Sequence, residues 1–104
     1  MSKMQRNKGA NAEREIVHIL EEHGFKARRG QVFNGEPDVI CPSLPFHWEV
    51  KRQERISINE WRKQSVSACK ENEIPLVVFR RSREEWQVLI SLSDLLPILK
   101  EVFK

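Results

Sequence analysis

The chain has 104 residues, and its 39% hydrophobic fraction allows one domain with a modest core. Its 18 Lys and Arg residues against 15 Asp and Glu residues give a formal net charge of +3, which favours polyanionic partners without establishing one. No apolar run approaches the about 20 residues that span a bilayer, and Cys41 and Cys69 form neither a CxxC pair nor a disulfide framework. We therefore expect a soluble protein in the reduced cytoplasm, with no membrane partner.

The first predicted element is a helix from Ala10 to His23, which Gly24 ends as the residue after the C-cap. Its apolar stripe has helical spacing and consists of Ala12, Ile16, Ile19 and Leu20. At about 100° per residue, Glu13 falls inside the apolar sector and Glu15 falls outside it. One carboxylate is therefore expected to point inward, and residues 1–8 are expected to form a flexible basic arm.

Three strands are predicted next, at Phe25–Phe33, Asp38–Cys41 and Phe46–Lys51, with a hairpin-type turn at Asn34–Gly35 between the first two. The strand that begins at Asp38 follows Pro37. In the third strand, the period of two places Glu49 and Lys51 on one face and Trp48 and Val50 on the other.

A second helix is predicted from Ser57 to about Asn72, because Ser57 and Glu60 have the spacing of a capping box. Its expected inward seam is Ile58, Trp61, Ser65 and Ala68, with Gln64 beside it. Two strands at Leu76–Phe79 and Trp86–Ile90 and a last helix with Pro97 in its first turn complete the chain. The predicted fold class is α/β, a single domain over residues 1–104 in the order α-β-β-β-α-β-β-α.

The chemistry is concentrated in Asp38 and the Glu49-Val50-Lys51 segment, which lie on strands expected to pair as neighbours. Two carboxylates on adjacent strands can hold a Mg²⁺ ion and leave positions for water and phosphate. Lys51, on the same face as Glu49, can orient or deprotonate the attacking water or neutralise charge on the phosphate. Glu13, facing inward from the first helix, could bind a second metal or a metal-bound water.

These motifs resemble the PD-(D/E)XK nucleases, and within them the archaeal-type Holliday junction resolvases and their phage relatives. The segment Lys8–Glu15 is similar to that family's N-terminal helix signature, with Glu13 in the place of its first catalytic acid. Pro37–Ile40 is similar to the second motif and Glu49–Lys51 to the third. Arg29 resembles the family's basic residue near the scissile phosphate, and the position of Gln64 resembles that of a polar residue in the wider superfamily.

The resemblance implies a restriction-endonuclease-like core, which is a mixed central sheet flanked by helices. It also implies hydrolysis that depends on Mg²⁺, with Mn²⁺ as a substitute, and a homodimer that nicks two opposed strands of branched DNA such as a four-way junction. The segment from Gly30 to Glu36 departs from the family, which has a small Ser-containing loop there. The C-terminal third carries no matching family motif, so the dimer surface cannot be carried over.

Candidate DNA contacts are Lys8, Arg14, Lys26, Arg28, Arg29 and Gln64. The same basic residues can instead form a solvated face, and Gln64 can be an ordinary residue at the edge of its helix seam. No zinc motif is present, because the histidines His18, His23 and His47 lack i, i+4 spacing and Cys neighbours.

The sequence thus predicts a metal-dependent, structure-selective DNA endonuclease, with a Holliday junction resolvase as the leading interpretation. Its expected setting is the nucleoid, and the resemblance extends to phage-encoded enzymes. A nuclease of the same fold that acts on nicks, flaps or plain duplex is one alternative. A DNA-binding module that keeps the fold without catalysis is another, and a small structural protein with ordinary surface carboxylates is a third.

Overall fold

The architecture is a mixed five-stranded sheet with helices on both faces, seen in a computed structural model that describes the backbone of residues 3–104 and side chains from residue 8 on. The predicted order of elements and the α/β fold class are confirmed. The elements are α1 (Lys3–Glu22), β1 (Arg28–Arg29), β2 (Val39–Ile40), β3 (Phe46–Arg52), α2 (Ile58–Ala68), β4 (Ile74–Arg80), β5 (Gln87–Leu89) and α3 (Leu92–Val102).

Helix α1 begins earlier than predicted, at Lys3, so residues 3–8 belong to the helix and do not form an arm in front of it. Residues 1 and 2 of the predicted arm lie outside the described residues. The end of the helix is as predicted: Gly24 has φ +87° and its N–H donates to the carbonyl of Glu21 at 3.0 Å. The N–H of Phe25 donates to the carbonyl of Leu20 at 2.9 Å, which completes a Schellman motif.

Strand β1 is much shorter than the predicted strand, because the chain leaves the sheet at Gly30. The N–H of Gly30 donates to the carbonyl of Asp38 at 2.9 Å, and a Cβ on Gly30 would lie 1.7 Å from the carbonyl oxygen of Pro37. The strands β1 and β2 pair antiparallel as predicted, but their connection is longer than a turn at Asn34–Gly35 and contains a 3₁₀ turn at Val32–Asn34. The carboxylate of Glu36 closes this loop by accepting hydrogen bonds from the guanidinium of Arg28 and from the N–H of Gln31.

The strand order is β1-β2-β3-β4-β5, and only the pair β3–β4 is parallel. Helix α2 forms the crossover that a parallel pair requires. Val39 of β2 lies opposite Trp48 of β3, so the strands that carry Asp38 and Glu49 are neighbours, as predicted.

The main core lies between α1 and one face of the sheet. It contains Ile16, Val39, Cys41, Trp48, Leu76 and Val78, all buried. On the opposite face, Trp61 of α2 packs against Phe79 of β4 with ring centroids 5.5 Å apart. Trp48 and Glu49 therefore face opposite sides of the sheet, as the period of two predicts.

Helix α2 differs from its prediction at both ends. It ends at Ala68 and not near Asn72, because the carboxylate of Glu73 accepts the N–H of Lys70 at 2.7 Å and Asn72 adopts φ +74°, which turns the chain towards β4. Ser57 is the N-cap residue, but its side chain makes no capping hydrogen bond.

The predicted positions of three further helix residues are wrong. In α2, Trp61 and Ser65 are buried as predicted, whereas Ile58 and Ala68 are exposed. Pro97 lies inside α3 and not in its first turn, and it is exposed. Because proline has no backbone N–H, one carbonyl of the preceding turn lacks its helical hydrogen bond.

Glu15 also points towards the sheet, contrary to its predicted place outside the apolar sector. It accepts hydrogen bonds from the indole N–H of Trp86 at 2.8 Å and from the guanidinium of Arg80 at 3.2 Å. The ends of β4 and β5 thus supply polar partners that the apolar pattern of α1 does not reveal. Among the residues searched, no helix is both long enough and apolar enough to cross a bilayer.

Candidate active site

Asp38 is fixed at the start of β2 by two hydrogen bonds to β3. Its N–H donates to the carbonyl of Trp48 at 3.0 Å, and its Oδ2 accepts the N–H of Val50 at 2.8 Å. The carboxyl group of Glu49, the residue between these two, lies close enough to that of Asp38 to interact with it. The structure therefore brings these two predicted site residues together on one side of the sheet.

Glu49 is held in a partly enclosed position, with 20% of its side chain exposed. Burial, and then the negative charge of Asp38 and the hydrogen bond with it, raise the pKa of Glu49 to about 7. The contact with His47 opposes this rise. At neutral pH Glu49 therefore keeps its proton in part of the molecules.

Glu13 approaches the same place from α1, with its side chain mostly buried. Its Oε1 accepts a hydrogen bond from Nε of Arg29 at 2.9 Å. Burial raises the pKa of Glu13, the hydrogen bond from Arg29 opposes that rise, and the negative charge of Asp38 adds to it. The third predicted acid therefore lies within electrostatic reach of the Asp38 carboxylate.

Lys51 follows Glu49 on the same face of β3. Its Nζ donates to Oε1 of Gln64 on α2 at a long 3.4 Å. The side chain of Gln64 thus contacts the third motif, and Gln64 itself is exposed.

The predicted DNA-contacting residues divide into two groups. Arg28 is ion-paired with Glu36 at 2.8 Å and Arg29 with Glu13 at 2.9 Å, so only the Arg29 guanidinium is shown beside a candidate catalytic acid. Lys8, Arg14 and Lys26 are exposed, and Arg14 donates to the side-chain oxygen of Asn11 at 3.1 Å.

One group of residues beside the site was missed by the sequence analysis. His47 is buried, with Nε2 at 2.9 Å from Glu49 and Nδ1 at 3.2 Å from Glu73, and Cys69 lies close by. The alternation of side chains along β3 places His47 on the same face of the strand as Glu49. The approach of Cys69 and Glu73 depends on the parallel crossover, which leaves no spacing signal in the sequence.

A comparison with models of protein families finds a match over most of the chain. Residues 4–103 match the model of a family described as "Phage putative PDDEXK endonuclease". The chain belongs to this family. The predicted membership of the PD-(D/E)XK superfamily is thus confirmed, and it places this PDDEXK protein among nucleases that in general depend on divalent metals.

The fold of this PDDEXK protein also matches a solved structure. That structure is Hjc of Archaeoglobus fulgidus, described as a Holliday junction resolvase from an archaeal hyperthermophile. The TM-score is 0.57 and the sequence identity 20%, over 80% of this chain and 72% of that one. At this identity the match shows the restriction-endonuclease-like fold alone. A search of curated proteins finds no match.

Proposed function

We propose that this chain is a Mg²⁺-dependent DNA endonuclease with Glu13, Asp38, Glu49 and Lys51 as its catalytic residues. The observation that carries the proposal is the pairing of Asp38 with Glu49, in which burial and the neighbouring acid raise the pKa of Glu49 to about 7. Two acids so close repel each other once both are ionised, and a divalent cation between them removes the repulsion. Membership of a PDDEXK endonuclease family supports the same function.

The donor set fits a hard cation. Glu13, Asp38 and Glu49 offer carboxylate oxygens, which Mg²⁺ prefers and which Mn²⁺ also accepts. When bound, the cation polarises the scissile phosphate and neutralises charge that develops on it. Asp38 and Glu49 would hold it, and Glu13 would orient a water molecule or hold a second cation.

Lys51 supplies the positive charge of the site from the protein itself. The β3 strand carries its ammonium group to the face of Glu49, and Gln64 receives a hydrogen bond from it. In this position the ammonium can orient or deprotonate the attacking water or stabilise charge on the phosphate. Gln64 is assigned a positioning role for Lys51 together with a DNA contact.

The basic residues around the acids are assigned to phosphate binding. Lys8, Arg14 and Lys26 are exposed, so their charges are available to a DNA backbone. Arg28 is paired with Glu36 and Arg29 with Glu13, which orients both side chains and leaves each guanidinium further N–H groups for phosphate. Binding of this kind weakens steeply as the salt concentration rises.

Branched DNA is the substrate class we assign, and the loop before Asp38 supports it. This loop exposes Val32 at 73% and Phe33 at 87%, beside the strand that carries Arg28 and Arg29. An apolar tip next to basic residues suits DNA whose bases are unstacked, as they are at a branch point, better than an intact duplex. A Holliday junction is the leading candidate within this class.

A homodimer follows from the same substrate, because a four-way junction needs two cuts and a two-fold dimer presents two sites. Exposed apolar side chains on β5 and α3 provide a surface for this contact: Val88, Leu92, Leu96, Leu99 and Val102. We expect sedimentation to give a dimer and Leu96→Glu to give a monomer. A wild-type monomer at micromolar concentration would remove the dimer from the proposal.

The cellular setting is DNA recombination and repair in the cytoplasm, at the nucleoid, with a phage-encoded enzyme in accord with the matched family. Action on nicks, flaps or plain duplex is the alternative within the same chemistry, and it remains open because the loop from Gly30 to Glu36 departs from the resolvase pattern. A DNA-binding module without catalysis is the alternative outside it.

The experiment compares a synthetic four-way junction with a linear duplex of the same sequence, each with Mg²⁺, with Mn²⁺ and with chelator. The proposal expects symmetric nicks in the junction, slow or no cutting of the duplex, and none with chelator. Equal cutting of both substrates would favour the broader nuclease. Salt-sensitive binding without cutting under any metal would favour the DNA-binding module.

A further inference from the structure

A group of three metal-ligating side chains lies outside the proposed Mg²⁺ site. His47 comes from β3, Cys69 is the C-cap of α2, and Glu73 immediately precedes β4, so the crossover brings them together. One ligand atom from each lies within 4.8 Å of the other two. The imidazole is 2% exposed, so the group sits at the inner end of the crossover and not on an open surface.

The hydrogen bonds of His47 are the observation that points to a ligand. Its Nε2 faces Oε1 of Glu49 at 2.9 Å and its Nδ1 faces Oε1 of Glu73 at 3.2 Å. Oε1 of Glu73 also accepts the backbone N–H of Lys70 at 2.7 Å, which fixes this oxygen beside the ring. The ring nitrogen and the carboxylate oxygen are therefore held close together before an ion binds.

A cation between Nδ1 of His47 and Oε1 of Glu73 fits the separation of these two atoms. With Zn–N and Zn–O bonds of about 2.0–2.2 Å at a tetrahedral angle, two zinc ligands lie about 3.4 Å apart. The 3.2 Å between Nδ1 of His47 and Oε1 of Glu73 is close to that value. With Nδ1 bound to metal, Nε2 keeps the proton and donates to Glu49, so each contact of the ring has a donor and an acceptor.

The donor types select the metal. A thiolate and an imidazole favour Zn²⁺ over Mg²⁺, which takes oxygen ligands. The side chain of Glu73 is 28% exposed, so an ion can reach this ligand from solvent.

We propose that Nδ1 of His47, Sγ of Cys69 and a carboxylate oxygen of Glu73 bind one Zn²⁺ ion, with water as the fourth ligand. The thiol proton of Cys69 is released to solvent on binding. The zinc connects the end of α2 to β3 through Cys69 and His47. It also fixes the tautomer of His47, whose Nε2 then orients the carboxylate of Glu49. The site itself is independent of the proposed nuclease function, since it uses none of the four catalytic residues.

The test uses the full chain, stripped of metal with a chelator and titrated with Zn²⁺ and with Co²⁺. We expect one Zn²⁺ per chain by calorimetry and elemental analysis, a higher melting temperature with Zn²⁺, and a thiolate-to-cobalt charge-transfer band with Co²⁺. Cys69→Ser should abolish the band, and Glu73→Gln should weaken Zn²⁺ binding by about tenfold or more.

The controls separate this site from the rest of the chain. Cys41→Ala removes the other thiol, which lies in the core on the opposite face, and should keep the band. Glu71→Gln changes an exposed neighbour and should keep the Zn²⁺ affinity. Asp38→Asn should also keep the band, because the Mg²⁺ site contributes no sulfur. No cobalt–thiolate band in the wild-type chain, or a band that survives in folded Cys69→Ser, overturns the proposal.

Discussion

The backbone N–H of Val50 donates a hydrogen bond of 2.8 Å to Oδ2 of Asp38, across the pair of strands β2 and β3. This bond turns the Asp38 carboxylate over the main chain of β3 and fixes it beside Glu49, the residue before Val50. The position of the acid pair therefore depends on strand register, because a slip of one residue would send Glu49 to the opposite face.

Asp38→Asn should abolish the proposed cleavage while leaving DNA binding in place. The amide oxygen can still accept the Val50 N–H, so the backbone geometry is kept, but the charge that holds the cation is lost. We expect a fall in the cutting rate of at least about 100-fold, with the junction affinity measured by gel shift changed little. Glu101→Gln, an exposed carboxylate on α3, is the matched control and should cut like the wild type. Unchanged cutting in Asp38→Asn would refute the assignment of this site.

The stability of the metal-free protein should fall between pH 5 and pH 8. Burial and Asp38 raise the pKa of Glu49 to about 7 in the folded chain, from a reference value of 4.5. The folded protein therefore keeps a proton that the unfolded chain loses, and the associated stability is complete below pH 4.5 and disappears as the pH rises through 7. The loss should be on the order of 3 kcal/mol at most.

Urea unfolding in chelator at several pH values measures this loss. Glu49→Gln cannot ionise, so it should flatten the profile and should be more stable than the wild type at pH 8. Mg²⁺ should stabilise the wild-type chain more at pH 8 than at pH 5, because it binds the ionised pair. A wild-type profile that is already flat, or that rises over this range, would show that the pKa of Glu49 is not raised in the folded chain.

Lys51→Ala should reduce cutting far more than Lys26→Ala. Lys51 is placed to act on the reacting phosphate, whereas Lys26 is exposed and contributes only to positioning the DNA. We expect a loss of about 100-fold or more in the single-turnover rate for Lys51→Ala. For Lys26→Ala we expect a weaker affinity and a smaller salt dependence at an unchanged rate. Equal rate losses in the two variants would contradict this division.

Local patterns predicted the elements that meet at the site, because each depends on a short stretch of sequence. The alternation of side chains in the predicted third strand placed Glu49 and Lys51 on one face. The helical spacing of the apolar residues of α1 predicted that Glu13 points inward. Gly24 ends α1 as expected because the helix needs a residue with positive φ at that point.

Contacts between distant segments could not be predicted in the same way. Glu15 is tied to Trp86 by a hydrogen bond between residues far apart in sequence, and helical phase alone placed it outside the apolar sector. The approach of Glu73 to His47 requires the parallel register of β3 with β4. The apolar residues after Gly30 favour a strand in the sequence, whereas the structure has a 3₁₀ turn at Val32–Asn34 and a close approach of Gly30 to Pro37.

Gly30→Ala should destabilise the fold and disturb the site together. The added Cβ would lie 1.7 Å from the carbonyl oxygen of Pro37, so the backbone next to Asp38 must move. We expect a loss of about 2 kcal/mol or more in the free energy of unfolding, measured in urea. Gly9→Ala is the control, since nothing lies within 4 Å of its Cβ, and it should stabilise α1 by about 0.5–1 kcal/mol. Similar stabilities for the two variants would mean that the close approach at Gly30 is relaxed in solution.

Phe33→Ala should reduce the preference for branched DNA without affecting the fold. The ring is 87% exposed, so its removal costs little packing, whereas stacking on an unpaired base contributes about 1–3 kcal/mol. We therefore expect junction binding to weaken by roughly 5- to 100-fold while binding to linear duplex is unchanged. Phe103→Ala, at a ring that is 77% exposed at the end of α3, is the matched control and should leave both affinities as they are. Equal losses on junction and duplex would show that Phe33 adds general affinity and does not select the branch.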